Sequence, residues 1–77
     1  MTLNEKIGYE MRTQRLIHRL TLEEVAARMG VASKNTISRL ELGKTQITVE
    51  DLKKYCEAIG CSWISILQKV SNEKGDG

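Results

Sequence analysis

The chain has 77 residues, of which 40% are hydrophobic, and it carries 12 Lys and Arg against 10 Asp and Glu, for a net charge of +2. It contains no Pro and no Phe, which disfavours a β-sandwich or barrel and favours one small core built from aliphatic helices. No apolar run reaches the roughly 18 residues of a membrane span, and the N-terminus carries acids where a secretory signal is basic and then apolar. We therefore expect an all-α, cytoplasmic protein with no membrane partner.

The residue types that usually bind metal or perform catalysis are few. Cys56 and Cys61 could close one disulfide, but secreted scaffolds of this size contain many more cysteines, so both are interpreted as reduced core thiols. The single histidine, His18, lies far from them in sequence, which leaves no spacing typical of a zinc site. No glycine-rich phosphate loop and no set of nucleophile, base and orienting acid is visible. The sequence predicts no enzyme, no metal and no cofactor.

Start and stop signals define the first two predicted helices. Each follows a Thr that stands three residues before a Glu, a capping box, at Thr2 and at Thr21. The first helix is predicted over residues 3–18. The second is predicted over residues 22–29, where the apolar residues have helical spacing, and it ends before Gly30, a residue type that commonly terminates helices.

Three further helices are predicted by the same signals. They span residues 34–42, 49–59 and 63–69. Gly43 and Gly60 end the first two of them, while Thr48 and Ser62 are predicted to cap the starts of the last two. The chain is therefore predicted to contain five helices.

The two ends of the chain differ in composition from its middle. Residues 71–77 are polar and are expected to fray as a disordered tail, so the domain is predicted to cover residues 1–70. Residues 12–44 contain seven bases against three acids, whereas the segments on either side are weakly acidic. A basic middle is typical of a small nucleic-acid-binding surface, but a solvated charged helix face has the same composition. Charge alone leaves both interpretations open.

Residues 20–67 contain several short motifs in a fixed order. They read LTLEEVAARMGV, TISRLELGK, TVEDLKKYCEAIGCS and a closing IL. In order and spacing these motifs resemble the phage repressor and Cro family of helix-turn-helix proteins, the XRE-type regulators. The resemblance implies that Ala26, four residues before the turn residue Gly30, packs against Ile37 of the next helix. It also implies a compact five-helix domain of the lambda-repressor-like type, in which residues 22–42 form the helix-turn-helix unit that binds DNA.

The third predicted helix is the one that this family inserts into the major groove of DNA. At about 100° per residue, Ile37 and Leu40 fall on one side of this helix. The opposite arc holds Lys34, Asn35, Ser38 and Arg39. Asn can pair with adenine and Arg with guanine, while Lys or Ser can contact a base edge or a phosphate. These four residues are predicted to read bases, although on an arbitrary helix they would be interpreted as a solvated face.

Further roles follow from the resemblance and from the free N–H groups at the start of the second helix. The predicted contacts to the DNA backbone are Lys44, Thr45, Thr36, Ser33 and Thr21, and Arg12 and Arg19 are additional candidates. The resemblance implies a structural salt bridge between Arg15 and Glu41. The apolar residues predicted to form a two-fold dimer interface are Ile47, Trp63, Ile64 and Leu67, with the core of the monomer as their alternative location.

The turn between the second and third helices departs from the family pattern. Seven positions lead from Gly30 to Ile37, one more than the family has. Either the turn is longer and Ser33 caps the third helix, or the insertion lies inside the helix and rotates Lys34 and Asn35 by about 100° away from the groove. The longer turn is favoured because Ser is a good N-cap and nothing in the helix indicates a bulge.

Together these features predict a sequence-specific regulator of transcription that binds double-stranded DNA. A repressor or a restriction-modification controller, acting as a homodimer on an inverted-repeat operator, fits best, because one short helix contacts too few bases on its own. RNA polymerase or a cognate partner protein are further candidate partners. The alternative function is an antitoxin component or a protein-interaction module that uses the same fold.

Overall fold

A computed structural model describes residues 1–72 and contains five helices in that range. They are α1 (Leu3–Ile17), α2 (Leu22–Met29), α3 (Lys34–Leu42), α4 (Val49–Ile59) and α5 (Trp63–Asn72). None of residues 1–72 lies in a β-strand, so the described chain is all-α, as predicted. Over the same residues, no helix combines the length and the apolar character that crossing a membrane requires.

The predicted capping boxes are present at the starts of three helices. Thr2, Thr21 and Thr48 each accept a hydrogen bond from the backbone N–H three residues later. The acid at that later position accepts a hydrogen bond from the Thr backbone N–H in return. The three glycines predicted to end α2, α3 and α4 adopt the left-handed conformation there. Local sequence signals therefore determine most of the helix boundaries.

The last helix is longer than predicted. It continues to Asn72 rather than ending at residue 69, so Ser71 and Asn72 belong to the helix and not to the polar tail. Val70 is only 5% exposed and anchors this last turn in the core, which outweighs the polar character of the residues that follow. Residues 73–77 of the predicted tail lie outside the described residues. At the other end, α1 stops one residue earlier than predicted.

The core draws buried side chains from all five helices and from the α3–α4 loop. They are Met11, Val25, Ala26, Ile37, Leu40, Ile47, Leu52, Tyr55, Cys56, Ile59, Ile66 and Val70. α1 packs against α3, α4 and α5, and α2 packs against α3 and α4. α3 is therefore held on one side by α1 and α2, and its other side is exposed to solvent.

The two cysteines lie at the end of α4 and are free thiols. Cys56 is buried in the core, whereas Cys61 is only partly buried and packs at the edge of the core. Burial raises the pKa of both thiols, which keeps them protonated at neutral pH. Within residues 1–72, no cluster of His, Cys, Asp and Glu has an arrangement that could hold a metal ion.

Candidate nucleic-acid interface

The link between α2 and α3 is a turn that runs from Gly30 to Ser33. Gly30 has a φ of +73°, and the N–H of Val31 donates to the carbonyl oxygen of Ala26 at 3.0 Å, which closes the C-terminus of α2. Ser33 is extended, and its Oγ accepts a hydrogen bond from the N–H of Asn35 at 3.0 Å. α3 begins at the residue after Ser33. The extra residue therefore lies in the turn, as predicted, and not in the helix.

α3 has a buried side and an exposed side. Ile37 is fully buried, and Leu40 is 4% exposed. The opposite side, named the reading face, consists of Lys34, Asn35, Ser38 and Arg39. Ser38 is partly exposed and the other three residues are exposed. The four residues predicted to read bases thus share one helix surface, which carries hydrogen-bond donors and no acidic side chain.

A buried ion pair fixes the C-terminal part of α3 to α1. Arg15 Nε donates to Glu41 Oε2 at 2.7 Å and Arg15 Nη2 donates to Glu41 Oε1 at 3.0 Å, so the implied salt bridge is present and is bidentate. The hydroxyl of Tyr55 in α4 donates to the same Oε2 at 2.6 Å. Arg15 Nη1 donates to the carbonyl oxygen of Leu20 at 2.8 Å, which ties the α1–α2 link to the same cluster.

This environment shifts the pKa values of two members of the cluster. The hydrogen bond to Glu41 raises the pKa of Arg15, and it outweighs the opposing effect of burial. Burial, reinforced by the neighbouring Glu41 carboxylate, raises the pKa of Tyr55. Arg15 is therefore charged and Tyr55 is a neutral hydrogen-bond donor at neutral pH.

The residues predicted to contact the DNA backbone all reach the surface. The hydroxyl oxygens of Thr21 and Ser33 accept hydrogen bonds from their own helices, which leaves each O–H hydrogen free for donation to an anion. Thr36, Lys44 and Thr45 are exposed. All five are therefore accessible from solvent.

A surface hollow lies between the C-terminal end of α1, the α1–α2 link and the N-termini of α2 and α3. Arg19, Thr21, Glu23 and Lys34 are among the residues that line it. Lys34 Nζ lies 3.9 Å from Glu23 Oε2, a loose pair of largely exposed side chains that a phosphate can displace at little cost. Arg19 and Lys34 therefore line the same hollow as Thr21 and the first turn of α2. Arg12 is exposed on α1 and does not line this hollow.

A helix-turn-helix family profile matches residues 11–66, which include α2, α3 and both partners of the buried ion pair. The chain belongs to the helix-turn-helix family. The fold is that of the XRE-type members, which are DNA-binding regulators of transcription. Because the match covers most of the described chain, the family assignment applies to the domain as a whole.

Solved structures extend the similarity of this helix-turn-helix protein beyond the matched residues. The clp gene regulator ClgR from C. glutamicum is 30% identical with a TM-score of 0.88, and the similarity covers 96% of this chain and 95% of that chain. A second crystal structure of ClgR, from Corynebacterium glutamicum, is 30% identical with a TM-score of 0.85. The similarity covers 94% of this chain and 76% of that chain. No curated protein sequence matches the chain.

The residues predicted for a dimer interface are divided between the core and the surface. Ile64 is 50% exposed, and Trp63 and Leu67 are partly buried against the core. Ile47 is only 9% exposed, packs in the core and donates its N–H to Asn4. In this helix-turn-helix protein its side chain is therefore not accessible to a partner. Ile47 was predicted for the interface because it is an apolar loop residue, and that apolar side chain anchors the loop instead.

Three residues that support the interface escaped the sequence analysis. The sequence indicates no role for Tyr55, yet its hydroxyl donates a hydrogen bond to Glu41. Gly8 allows α1 to approach the backbone of α3 so closely that an added Cβ would lie 2.4 Å from the carbonyl oxygen of Leu40. Asn4 bonds to the α3–α4 loop. None of these contacts has a local signal, because each joins residues far apart in the chain.

Proposed function

We propose that this protein regulates transcription by binding an inverted-repeat operator as a homodimer, most simply as a repressor. One observation carries this proposal: the reading face is exposed and polar on a helix whose other side is locked into the core. A helix held in this way can enter the major groove without losing its own hydrogen bonds or packing. A dimer bound over a promoter would exclude RNA polymerase, which is the simplest route to repression.

The residues of the reading face have distinct roles in this proposal. Asn35 can donate to and accept from adenine, and Arg39 can bind the two acceptors of guanine with its planar guanidinium group. Lys34 and Ser38 lie beside them and contact base edges or the nearest phosphate. The absence of an acid among these four residues favours DNA over a protein partner with a basic surface.

Contacts to the phosphate groups set the position of α3 in the groove. Lys44 and Thr45 bind the backbone on one side, and Thr21, Ser33 and Thr36 bind it near the N-termini of α2 and α3. These contacts carry no sequence information, but they release counterions and make the affinity depend on salt. Sequence preference must therefore come from the reading face.

Selection of bound sequences from a random library of double-stranded DNA tests this function directly. The expected result is an inverted repeat with half-sites about 10 base pairs apart, the spacing of one helical turn. A single half-site without symmetry would contradict the homodimer while retaining DNA binding. No enriched sequence at all would favour the alternative, a protein-interaction module or antitoxin component on the same fold.

A further inference from the structure

The loop between α3 and α4, residues 43–48, presents two of the residues proposed to bind phosphate. Its first part is closed by backbone hydrogen bonds, since the N–H of Lys44 donates to the carbonyl oxygen of Arg39 at 3.0 Å. Its last part is anchored in the core by Ile47. Lys44 and Thr45 are exposed, so the direction of the backbone after the Lys44 N–H depends on contacts from elsewhere in the fold.

The side chain of Asn4 binds this loop at three backbone groups. Its Nδ2 donates to the carbonyl oxygen of Gly43 at 3.2 Å and to that of Thr45 at 2.9 Å. Its Oδ1 accepts a hydrogen bond from the N–H of Ile47 at 2.9 Å. Both donor hydrogens and one acceptor position of the amide are thus used on a segment about 40 residues away in the chain.

These three bonds enclose Lys44. The carbonyl group of Gly43 belongs to the peptide unit before Lys44, and the carbonyl group of Thr45 belongs to the second peptide unit after it. Fixing both units fixes the direction in which the Cα–Cβ bond of Lys44 leaves the backbone, although the end of its side chain remains in solvent. A flexible loop would have to be ordered on binding, and this ordering lowers affinity.

We propose that Asn4 is a positioning residue for the DNA-backbone contact of Lys44 and Thr45, through which the start of α1 holds the α3–α4 loop in its DNA-binding conformation. This inference rests on the proposed function, because it assigns Asn4 a role in the same interface. Asn4 itself touches neither DNA nor the reading face in this assignment. Its effect passes entirely through the loop.

Salt dependence of DNA binding distinguishes this role from a general effect on stability. Asn4→Ala is expected to lower the slope of log affinity against log salt by about 1, as Lys44→Ala does, because one phosphate contact is lost. The fall in affinity between 50 and 200 mM salt would then be about 3.5-fold smaller than for the wild type. In a Lys44→Ala background, Asn4→Ala should leave the slope unchanged, since the contact that it positions is already missing.

Thr2→Ala is the matched control. It removes the N-cap of the same helix end and reduces stability, but it leaves the loop bonds of Asn4 in place. Its salt slope should equal that of the wild type. If Thr2→Ala lowers the slope as much as Asn4→Ala, or if Asn4→Ala leaves the slope unchanged while Lys44→Ala lowers it, the assignment of Asn4 is overturned and the proposed function survives. If the wild type shows no salt-dependent DNA binding, both are overturned.

Amide hydrogen exchange provides a second measurement that needs no DNA. The N–H of Ile47 should lose protection in Asn4→Ala and keep it in Thr2→Ala, because only the first variant removes its acceptor. If Asn4→Ala does not fold, Asn4→Asp keeps the acceptor and favours the first turn of α1, while it removes the two donated bonds. Thr2→Asp adds the same charge at the same helix end and keeps the cap, so a slope that falls equally in both aspartate variants would contradict the positioning role.

Discussion

Arg39 and Lys44 are both exposed cations near the C-terminus of α3, but the structure gives them different surroundings. Arg39 belongs to the reading face and lies in the last turn of α3, whereas Lys44 follows the helix and lies in the loop that Asn4 binds. A guanidinium group on a groove-facing helix surface can distinguish guanine from other bases. Under the proposed function, an ammonium group on a loop outside the helix would contact phosphate oxygens and no base edges.

Substitution of each residue by Ala should therefore have different consequences. Arg39→Ala is expected to cost about 1–3 kcal/mol on the selected operator and to remove discrimination at one base pair. Lys44→Ala should weaken binding to all sequences alike and lower the salt slope by about 1. Titrations of operator and random DNA at several salt concentrations measure both effects. Equal losses on the two DNAs for Arg39→Ala would exclude it from base reading.

Arg15 and Glu41 place opposite charges in the centre of the molecule, with side chains that are 8% and 3% exposed. Removing one partner leaves the other charge buried and unpaired, so Glu41→Gln should lower the free energy of unfolding by about 3–5 kcal/mol. Tyr55→Phe removes the hydroxyl that donates to the Glu41 carboxylate and lies 2.9 Å from the carbonyl oxygen of Met11, and it should cost about 1.5–3 kcal/mol. Urea denaturation measures both variants.

An apolar replacement of the whole pair is the control for this interpretation. Arg15→Met combined with Glu41→Leu leaves no unpaired charge, so it should be more stable than Glu41→Gln alone. The pair would then be needed to orient α3 rather than to stabilise the fold, and the double variant should bind the operator less specifically. A double variant that is less stable than Glu41→Gln would contradict this account.

At the level of helices, α1 and α3 meet at Gly8, where no side chain separates the two backbones. An added Cβ would lie 2.4 Å from the carbonyl oxygen of Leu40 and 2.7 Å from that of Glu41. Both are backbone atoms of α3, so they can move only if the helix moves. The distance between the two helices, and with it the position of the reading face, therefore depends on the absence of a side chain at residue 8.

Gly8→Ala should for this reason destabilise the protein by about 1–3 kcal/mol, the usual effect of overpacking a tight contact. Helix propensity alone predicts the opposite sign, a gain of about 1 kcal/mol for Gly to Ala within a helix. Ala27→Gly on the exposed side of α2 measures that propensity in the same protein. If Gly8→Ala stabilises the protein by as much as Ala27→Gly destabilises it, the backbones of α1 and α3 do not approach each other this closely.

The elements of this fold could be predicted because their signals are local. A capping Thr acts together with the acid three residues later, and a terminating Gly acts on the turn before it. Both signals lie within one helical turn, so four helices begin and end within one residue of their predicted bounds. The end of α5 had no such signal, and it depends on the burial of Val70. Contacts such as those of Asn4 and Tyr55 could not be predicted from the sequence, because a polar side chain on a helix does not indicate which distant backbone group or carboxylate it will bind.

At the level of the whole molecule, the proposed homodimer would place the exposed apolar residues near the starts of α4 and α5 at its interface. Val49 is 59% exposed and Ile64 is 50% exposed. Lys53, one turn after Val49, lies with its Nζ 5.5 Å from the centre of the Trp63 ring, so the exposed sides of the two helices adjoin. In a two-fold dimer this patch packs against the same patch of the second copy. Each apolar side chain near the axis therefore contributes to the interface from both copies.

Ile64→Glu tests this interface because it places two like charges against each other across the two-fold axis. It should weaken dimerisation at least about tenfold and abolish cooperative binding to the inverted repeat, while binding to a single half-site remains. Tyr9→Glu is the control: Tyr9 is 55% exposed on α1, and the substitution adds the same charge outside the patch. Sedimentation at tens of micromolar should show a dimer for the wild type and for Tyr9→Glu, and a monomer for Ile64→Glu. A wild-type protein that is monomeric and binds DNA without cooperativity would exclude the dimer, and the apolar surface of α5 would then need another partner.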